Sequence, residues 1–159
     1  MSLKDLPKLF ASVIVCQLAG VVGSVFTFPS IASWYKFLEK PFFSPPNWIF
    51  GPVWTILYTL MGIALFLVWR KGLADKAVKG AVVIFLVHLA ANSLWSVIFF
   101  GLHNLLLAFL EILILWLLIV IVTAKFYKIN KTAAYLLVPY ILWVSFASVL
   151  NFSVWWLNK

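Results

Sequence analysis

The chain has 159 residues, of which 65% are apolar and only 10% charged, and its formal net charge is +8. An ordinary soluble domain carries roughly 25% charged residues, and a chain this short has too small an interior to bury so much apolar surface. The composition therefore excludes a soluble globular domain and indicates that lipid surrounds most side chains. Nucleic-acid binding is also excluded, because the basic residues lie between apolar stretches rather than on one polar face.

Five apolar stretches are long enough to cross a bilayer, which needs about 20 helical residues. Backbone groups in lipid must be hydrogen-bonded within their own segment, so these uninterrupted runs predict helices. The expected fold is an all-α membrane protein, a single domain over 1–159 with five transmembrane helices at 9–28, 49–69, 81–100, 105–124 and 133–157. Pro52 falls in the first turn of the second helix, where its missing N–H costs little, whereas Pro139 is expected to kink the fifth.

The first stretch, 9–28, follows two lysines and shares this feature with secretory signal peptides. Its 20 residues exceed the usual signal core of about 7–15, so we expect a retained helix. Cys16 is the single cysteine and lies inside this stretch. No internal disulfide can form, and a small buried apolar side chain is the expected role.

Lys and Arg are distributed unequally between the two sides of the predicted bundle. One side carries Lys4, Lys8, Arg70, Lys71, Lys76, Lys79, Lys125, Lys128 and Lys131, and the other carries Lys36, Lys40 and Lys159. Positive residues gather in cytoplasmic loops. For a prokaryotic plasma membrane, this bias predicts a multi-pass protein with a cytoplasmic N-terminus and a C-terminus outside.

The loop between the first two helices, 29–48, is long and rich in proline and aromatic residues. Loops of this length are usually functional or disordered, and the prolines stiffen this one. Trp34, Phe37 and Leu38 have the spacing of one face of a short helix over the mouth of the bundle. Two interpretations fit, a lid on a pocket and an interfacial aromatic anchor. The short link 101–104 predicts that the third and fourth helices are adjacent and antiparallel.

Polar side chains inside the predicted helices mark candidate functional positions. Glu111, the single acid within a span, fits either a polar anchor for a ligand or a neutral, hydrogen-bonded link between helices. His88 and Asn92 lie one turn apart and either line a cavity or form interhelical hydrogen bonds. A lone acid excludes paired-carboxylate catalysis. His88, His103 and Cys16 do not converge, so no metal site is expected.

Aromatic stripes occur on three of the helices. They consist of Trp54 and Tyr58 in the second helix, Asn92, Trp95 and Phe99 in the third, and Tyr140, Trp143, Ala147 and Leu150 in the fifth. Such walls suit a wide, flat, apolar ligand. The pairs Ala19/Gly23 and Gly20/Ser24 permit close helix approach, either within the bundle or in a homodimer.

A specific combination of motifs runs through the chain. It reads Trp34-Tyr35, Leu38-x-Lys40-Pro41, Pro45-Pro46-x-Trp48-x-Phe50-Gly51-Pro52-Val53-Trp54-x-x-x-Tyr58, Asn92-x-x-Trp95, Phe99-Phe100-Gly101, Glu111, Pro139-Tyr140-x-x-Trp143-x-x-Phe146-Ala147 and Leu150-Asn151. This combination spans all five predicted helices and resembles the signature of the TspO/MBR family, the translocator proteins.

The resemblance implies a five-helix bundle whose first loop closes a pocket for protoporphyrin, other tetrapyrroles or synthetic isoquinoline- and benzodiazepine-type molecules. Porphyrin is then the expected ligand, and no cofactor is required. The family's pocket corresponds here to Trp34, Trp54, Asn92, Trp95, Trp143 and Ala147, and Phe99, Phe146 and Leu150 from the same motifs complete the predicted ligand-binding set. The family's sterol motif needs a Tyr followed by a basic residue, whereas this chain has Phe152 and Trp156, which argues against sterol binding there.

Three functions fit these observations. The favoured one is a tetrapyrrole-binding membrane protein that acts as a sensor, carrier or scavenger. The second is a light- or oxidant-dependent porphyrin-degrading enzyme, since the resemblance assigns porphyrin degradation to tryptophans that match Trp54 and Trp143. The third is a structural or interaction protein whose aromatic residues only pack. A conventional enzyme is not expected, because the sequence has no Ser, Cys or Thr beside a His and no Gly-rich phosphate loop.

Overall fold

Each of the five apolar stretches forms a helix long enough to cross a bilayer, which confirms the predicted all-α membrane architecture. The computed structural model describes residues 5–159; Lys4, which contributes to the predicted charge bias, lies outside them. The helices are α1 (Leu6–Ser33), α2 (Asn47–Trp69), α3 (Lys76–Ser96), α4 (Leu105–Ile129), α5 (Lys131–Tyr135) and α6 (Val138–Leu157). The fifth span consists of α5 followed by α6.

Two spans extend further into their basic flanks than the apolar runs predict. The α3 helix begins at Lys76, because the Asp75 carboxylate caps it by accepting hydrogen bonds from the backbone N–H groups of Ala77 and Val78. The α4 helix continues to Ile129. Helical turns that carry lysine satisfy their own backbone in the interfacial region as well as in lipid, so apolarity alone underestimates the helix length.

Helix α1 also continues past its predicted end, and this shortens the first loop from 29–48 to residues 34–46. Pro29 lies inside the helix. It removes one backbone hydrogen bond but does not end the helix, since the N–H of Trp34 still donates to the carbonyl of Ser30. The Ser30 hydroxyl donates to the carbonyl of Phe100 at 2.6 Å, so this last turn is also held by the end of the third span.

The prediction that Trp34, Phe37 and Leu38 share one face of a short helix in the first loop is wrong. Only Tyr35–Phe37 form a short 3₁₀ turn, after which Leu38 is extended. Tyr35 is the residue that is buried, whereas Phe37 is 76% exposed. A 3₁₀ turn has three residues per turn rather than 3.6, so the helical spacing does not put Phe37 and Leu38 on one inward face.

The helix of the fifth span is interrupted at Leu136 and Leu137, shortly before Pro139. The predicted kink therefore takes the form of a break, and Pro139 occupies the first turn of α6, where its missing N–H costs little. A π-helical turn, Val97–Gly101, ends the third span. It leads into a tight link in which His103 has a φ of +54°, and α3 and α4 are adjacent as predicted.

Helix α1 packs on α2 and α3, α4 packs on α3 and α6, and α5 packs on α2. Glycines permit the closest approaches: a Cβ at Gly20 would lie 2.5 Å from the Tyr58 ring, and one at Gly23 would lie 2.9 Å from the Ser96 hydroxyl. The small residues of α1 are thus used for contacts inside the bundle. We call the end of the bundle that carries residues 34–46 the loop end, and the opposite end the basic end.

The two halves of the bundle differ in how they are filled. Toward the basic end the core is packed with large side chains, including the fully buried Met61, Phe85, Ile119 and Phe126. The rings of Phe85 and Phe126 stack with centroids 5.6 Å apart. Toward the loop end the helices separate, and the space between them is the feature of functional interest.

Candidate ligand-binding cavity

The loop-end half of the bundle encloses a cavity of about 500 Å³. This volume lies within the range of roughly 300–1,000 Å³ that is usual for small-molecule sites. All five spans contribute to the wall, together with Tyr35 from the first loop. Every wall residue in the described part of the chain is uncharged, so the cavity suits a molecule that is mainly apolar.

Aromatic rings from three helices form much of the wall. On α2 the rings of Trp54 and Tyr58 stack with centroids 5.4 Å apart. On the third span the rings of Trp95 and Phe99 stack with centroids 5.0 Å apart. Trp143 on α6 also lines the cavity. These pairs present broad flat faces that can stack on a planar ligand without moving.

A hydrogen-bonded chain lies at the floor of the cavity. The Tyr58 hydroxyl donates to Oδ1 of Asn92, and Nδ2 of Asn92 donates to the Tyr140 hydroxyl at 2.8 Å. Tyr58 and Asn92 line the cavity, and Tyr140 lies behind them, almost fully buried. Because Asn92 uses one donor and one acceptor in this chain, one further donor and one further acceptor position remain for a ligand.

The orientation of Trp95 is fixed by a second buried amide. The indole Nε1–H of Trp95 donates to Oδ1 of Asn151 at 3.0 Å, and Nδ2 of Asn151 donates to the carbonyl of Leu105 at 3.2 Å. The link joins α3, α6 and the start of α4. It holds the Trp95 ring in place on the wall before any ligand arrives, so less ordering is needed on binding.

Helix α1 supplies a wall that the sequence analysis missed. It includes Gln17, Gly20, Ser24, Thr27 and Ile31. These positions recur every three or four residues, so they share one helical face. Polar residues along one face of an otherwise apolar helix were the available signal.

The cavity opens sideways between the loop-end halves of α1 and α2. Val21 and Phe28 on α1 and Trp48 and Thr55 on α2 belong to the wall and are also exposed on the outside of the bundle. Nearer the basic end the two helices are in tight contact, where a Cβ on Gly62 would lie 2.6 Å from the Cα of Val13. The opening therefore faces the membrane, on the flank of the bundle.

Comparison with known proteins finds relatives over nearly the whole chain. The family model of the TspO/MBR family matches residues 12–157. The chain belongs to the TspO/MBR family. The Tryptophan-rich protein TspO of Archaeoglobus fulgidus is 44% identical over 152 residues, which cover 95% of this chain and 97% of that protein. The Translocator protein of Homo sapiens is 38% identical over 141 residues, covering 87% and 83%. The Tryptophan-rich sensory protein of Cereibacter sphaeroides is 34% identical over 125 residues, covering 79% and 77%.

Most of the residues that the TspO/MBR resemblance assigned to the pocket are brought together by the fold. Trp54, Asn92, Trp95, Phe99, Trp143, Ala147 and Leu150 all lie on the cavity wall. They come from α2, the third span and α6, and the stripes predicted on these helices do converge. Tyr58, predicted with Trp54 as the stripe on the second helix, and Phe50, which was quoted only in the family motif, lie on the wall as well.

Trp34 and Phe146 were also predicted to bind ligand, but neither lies on the wall. The Trp34 ring stacks on His103 with centroids 4.1 Å apart and meets Phe99 edge-on at 5.7 Å. Phe146 packs against Phe43 of the first loop and against Trp143. Both residues hold the first loop on the bundle, so their contribution to the cavity is indirect.

Glu111 does not lie on the wall of the cavity in this TspO/MBR-family bundle. Its side chain is buried, and its Oε2 has no hydrogen-bond partner among residues 5–159. His88 is likewise buried off the wall, where its Nδ1 lies 2.8 Å from the carbonyl of Phe85 and its Nε2 has no hydrogen-bond partner in the described part of the chain. Asn92 is thus the buried polar residue of α3 that faces the cavity.

Proposed function

We propose that this TspO/MBR-family protein binds a tetrapyrrole such as protoporphyrin in the cavity between its helices. The observation that carries the proposal is the convergence of three tryptophans, Trp54, Trp95 and Trp143, from three helices on one uncharged cavity. A planar macrocycle buries a large apolar area on both faces, and tryptophan provides the broad apolar surface that matches it. The hydroxyl of Tyr58 and the amide of Asn92 at the floor supply the few polar groups that orient a ligand in such a site.

The uncharged wall also predicts how a porphyrin is oriented. Burying an ionised carboxylate without a partner is costly, and the wall offers it no cation. The two propionates therefore remain at the opening between α1 and α2, near the exposed Asn47 and Trp48. The macrocycle extends inward toward Asn92.

A role as sensor, carrier or scavenger follows from this proposal. Two relatives are named Translocator protein and Tryptophan-rich sensory protein, and these names refer to translocation and sensing in those proteins. An opening that faces the membrane suits a ligand that is already dissolved in the bilayer. The same opening serves uptake, release and storage, and binding is the step that all three roles share.

The test is a titration of the purified protein with protoporphyrin in detergent, in the dark, followed by tryptophan fluorescence. The affinity is the informative readout, because energy transfer to a porphyrin quenches distant tryptophans too. Trp54→Phe and Trp143→Phe are each expected to weaken binding about twofold to 12-fold, since phenylalanine keeps an aromatic face but buries less apolar area, a difference of roughly 0.5–1.5 kcal/mol. Trp155→Phe is the matched control, because Trp155 packs against Phe109 and lies off the wall.

Unsaturable quenching, or equal affinity in all three variants, would show that the porphyrin merely partitions into the micelle. Protoporphyrin dimethyl ester provides a second check. Because no wall residue is charged, the ester is expected to bind at least as tightly as the free acid. A strong preference for the free acid would contradict the proposed orientation.

Light-dependent porphyrin degradation is the second candidate function. Trp54 and Trp143, which the family resemblance connects with this activity, both line the cavity and would lie against a bound macrocycle. Illumination of the porphyrin complex tests the idea. Loss of the porphyrin absorbance that slows in a Trp54→Phe, Trp143→Phe double variant with its porphyrin still bound would favour an enzyme. Unchanged absorbance would leave a binding protein.

We further propose that the basic end faces the cytoplasm and the loop end the outside, by the positive-inside rule. A Cys16→Ser background with one new cysteine allows a direct test. Phe42→Cys places a thiol on the fully exposed tip of the first loop, and Leu73→Cys places one at the basic end. A membrane-impermeant maleimide applied to intact cells is expected to label the first variant only. Labelling of the second alone would reverse the orientation.

A further inference from the structure

The basic end carries a shallow groove between the first turns of α3 and the last turns of α4. Its walls are Lys76, Lys79, Gly80, Val83, Ile84 and Lys125. The α3 residues at 76, 79, 80 and 83 have the spacing of a single helical face. Three ammonium groups thus border one groove, which lies at the opposite end of the bundle from the ligand cavity.

No acidic group in the described part of the chain forms a salt bridge with these three lysines. The salt bridge at this end joins Arg70 to Asp5 at 3.7 Å. Asp75 is the acid nearest in sequence to Lys76, but its carboxylate accepts hydrogen bonds from the backbone N–H groups of Ala77 and Val78. The groove therefore keeps its full positive charge.

The groove lies at the level in the membrane that a lipid headgroup and the start of its acyl chain occupy. Lys76 and Lys79 occupy the first turn of a membrane-spanning helix. Val83 lies about 10 Å further along the helix axis than Lys76, at 1.5 Å per residue. The charged rim of the groove is thus at the interface, and its apolar wall, formed by Val83 and Ile84, reaches toward the hydrocarbon.

We propose that this groove binds the headgroup of an anionic phospholipid. The phosphate lies among the ammonium groups of Lys76, Lys79 and Lys125, and one acyl chain runs along Val83 and Ile84. Lysine binds phosphate as a point charge, so three lysines around one groove can bind a phosphate without a particular bidentate arrangement. A zwitterionic headgroup is a poorer occupant, because its own ammonium already neutralises its phosphate.

Native mass spectrometry of the protein in detergent tests the proposal, with titrations of phosphatidylglycerol and of phosphatidylcholine as the two probes. The intact protein is expected to bind the first phosphatidylglycerol more tightly than phosphatidylcholine. Each lysine near a membrane surface contributes about fivefold to the affinity for an anionic lipid. The triple variant Lys76→Gln, Lys79→Gln, Lys125→Gln is therefore expected to lose on the order of 100-fold and to bind both lipids alike.

The control variant is Lys8→Gln, Lys71→Gln, Lys131→Gln, which removes the same charge from the same end but leaves the groove untouched. Retained phosphatidylglycerol preference in the control supports a local site. An equal loss in both variants would show that diffuse positive charge is responsible and would overturn the proposal. The triple variant Lys76→Arg, Lys79→Arg, Lys125→Arg keeps the charges of the groove and is expected to retain the preference for phosphatidylglycerol. This variant separates the effect of charge from any change in stability.

Inorganic phosphate at matched ionic strength distinguishes a lipid from a free anion. Phosphatidylglycerol is expected to remain bound, since its acyl chain contacts Val83 and Ile84. A Val83→Ser, Ile84→Ser variant is then expected to weaken lipid binding with the lysines intact. Displacement of the lipid by inorganic phosphate would overturn the proposal and indicate a simple anion site.

Discussion

The side-chain amide of Asn158 makes two hydrogen bonds with the backbone of Glu39, although the two residues are 119 positions apart in the chain. Its Oδ1 accepts from the Glu39 N–H at 3.0 Å, and its Nδ2 donates to the Glu39 carbonyl at 2.9 Å. The pair ties the first loop to the end of α6. One amide thereby satisfies both backbone groups of an exposed loop residue.

Removal of this amide is expected to release the first loop without unfolding the bundle. Asn158→Leu loses the two exposed hydrogen bonds to Glu39, which together contribute about 1–2 kcal/mol, and a third within its own helix, to the carbonyl of Val154. Hydrogen–deuterium exchange should accelerate in residues 35–43 and stay unchanged in α4. Ser153→Ala is the control, since the Ser153 hydroxyl bonds only to its own helix, at the carbonyl of Val149. Equal acceleration in the control would show that the hydrogen bonds between Asn158 and Glu39 do not hold the loop.

Attachment of the first loop is also expected to weaken at alkaline pH. Burial raises the pKa of Tyr35 above its ordinary value of 10.0, and a hydrogen bond from the Ser44 hydroxyl opposes this shift. A phenol whose folded pKa is raised contributes stability that is fully present below the unfolded pKa of about 10 and is lost as the pH rises through the folded value. Protection of the first loop against exchange, measured relative to the base-catalysed intrinsic rate, should therefore fall above about pH 10.

Tyr35→Phe separates this effect from general alkaline unfolding. The variant lacks the titrating hydroxyl but keeps the ring against Phe99 and Phe100. In this variant the protection of the loop is expected to lose the decline that begins near the tyrosine pKa. A profile identical to that of the unmodified protein would assign the alkaline effect to another group.

The sequence predicted the spans well, because crossing a bilayer imposes a length and an apolarity on each segment. It predicted the loop end less well. Pro29 suggests a helix end, yet α1 continues to Ser33, since the missing bond costs little where Ser30 holds the turn by its hydrogen bond to Phe100. Whether Tyr35 or Phe37 faces inward depends on a 3₁₀ turn that their spacing does not reveal.

The candidate site divides in the same way. Residues on α2, α3 and α6 were found from aromatic stripes, because the bulk of tryptophan marks a wall. The α1 wall was missed, although Gln17, Ser24 and Thr27 mark its face. Trp34 was assigned to the pocket through the family motif, but it packs on His103 outside it. A sequence motif identifies a residue as a member of the family pattern, but it does not show whether the side chain faces the cavity or packs outside it.

The close approach of α1 and α2 is expected to depend on Gly62. A Cβ at this position would lie 2.6 Å from the backbone Cα of Val13, so no side-chain rotation relieves the clash and the helices must move apart. Gly62→Ala is expected to cost about 1–3 kcal/mol and to lower the thermal midpoint followed by circular dichroism. Gly51→Ala is the matched control in the same helix, because its Cβ would meet nothing within 4 Å. Alanine favours a helix more than glycine does, so the control is expected to be unchanged or more stable. A comparable loss in the control would show that the clash at Gly62 is not the cause.

Asn92 and Glu111 are both buried polar residues, and their replacement by leucine is expected to have opposite effects. Asn92→Leu leaves the hydroxyls of Tyr58 and Tyr140 without their shared partner. Interhelical hydrogen bonds in membrane proteins contribute about 0.6 kcal/mol each on average, so the variant should lose about 1 kcal/mol of stability and also bind protoporphyrin more weakly. Glu111→Leu removes an Oε2 that has no partner within residues 5–159 and fills the space with an apolar group of similar size. The thermal midpoint of this variant should be unchanged or raised, with porphyrin affinity unaffected, because Glu111 lies off the wall. A destabilised Glu111→Leu variant would show that the carboxyl has an interhelical role, and weakened porphyrin binding would show that it acts on the cavity.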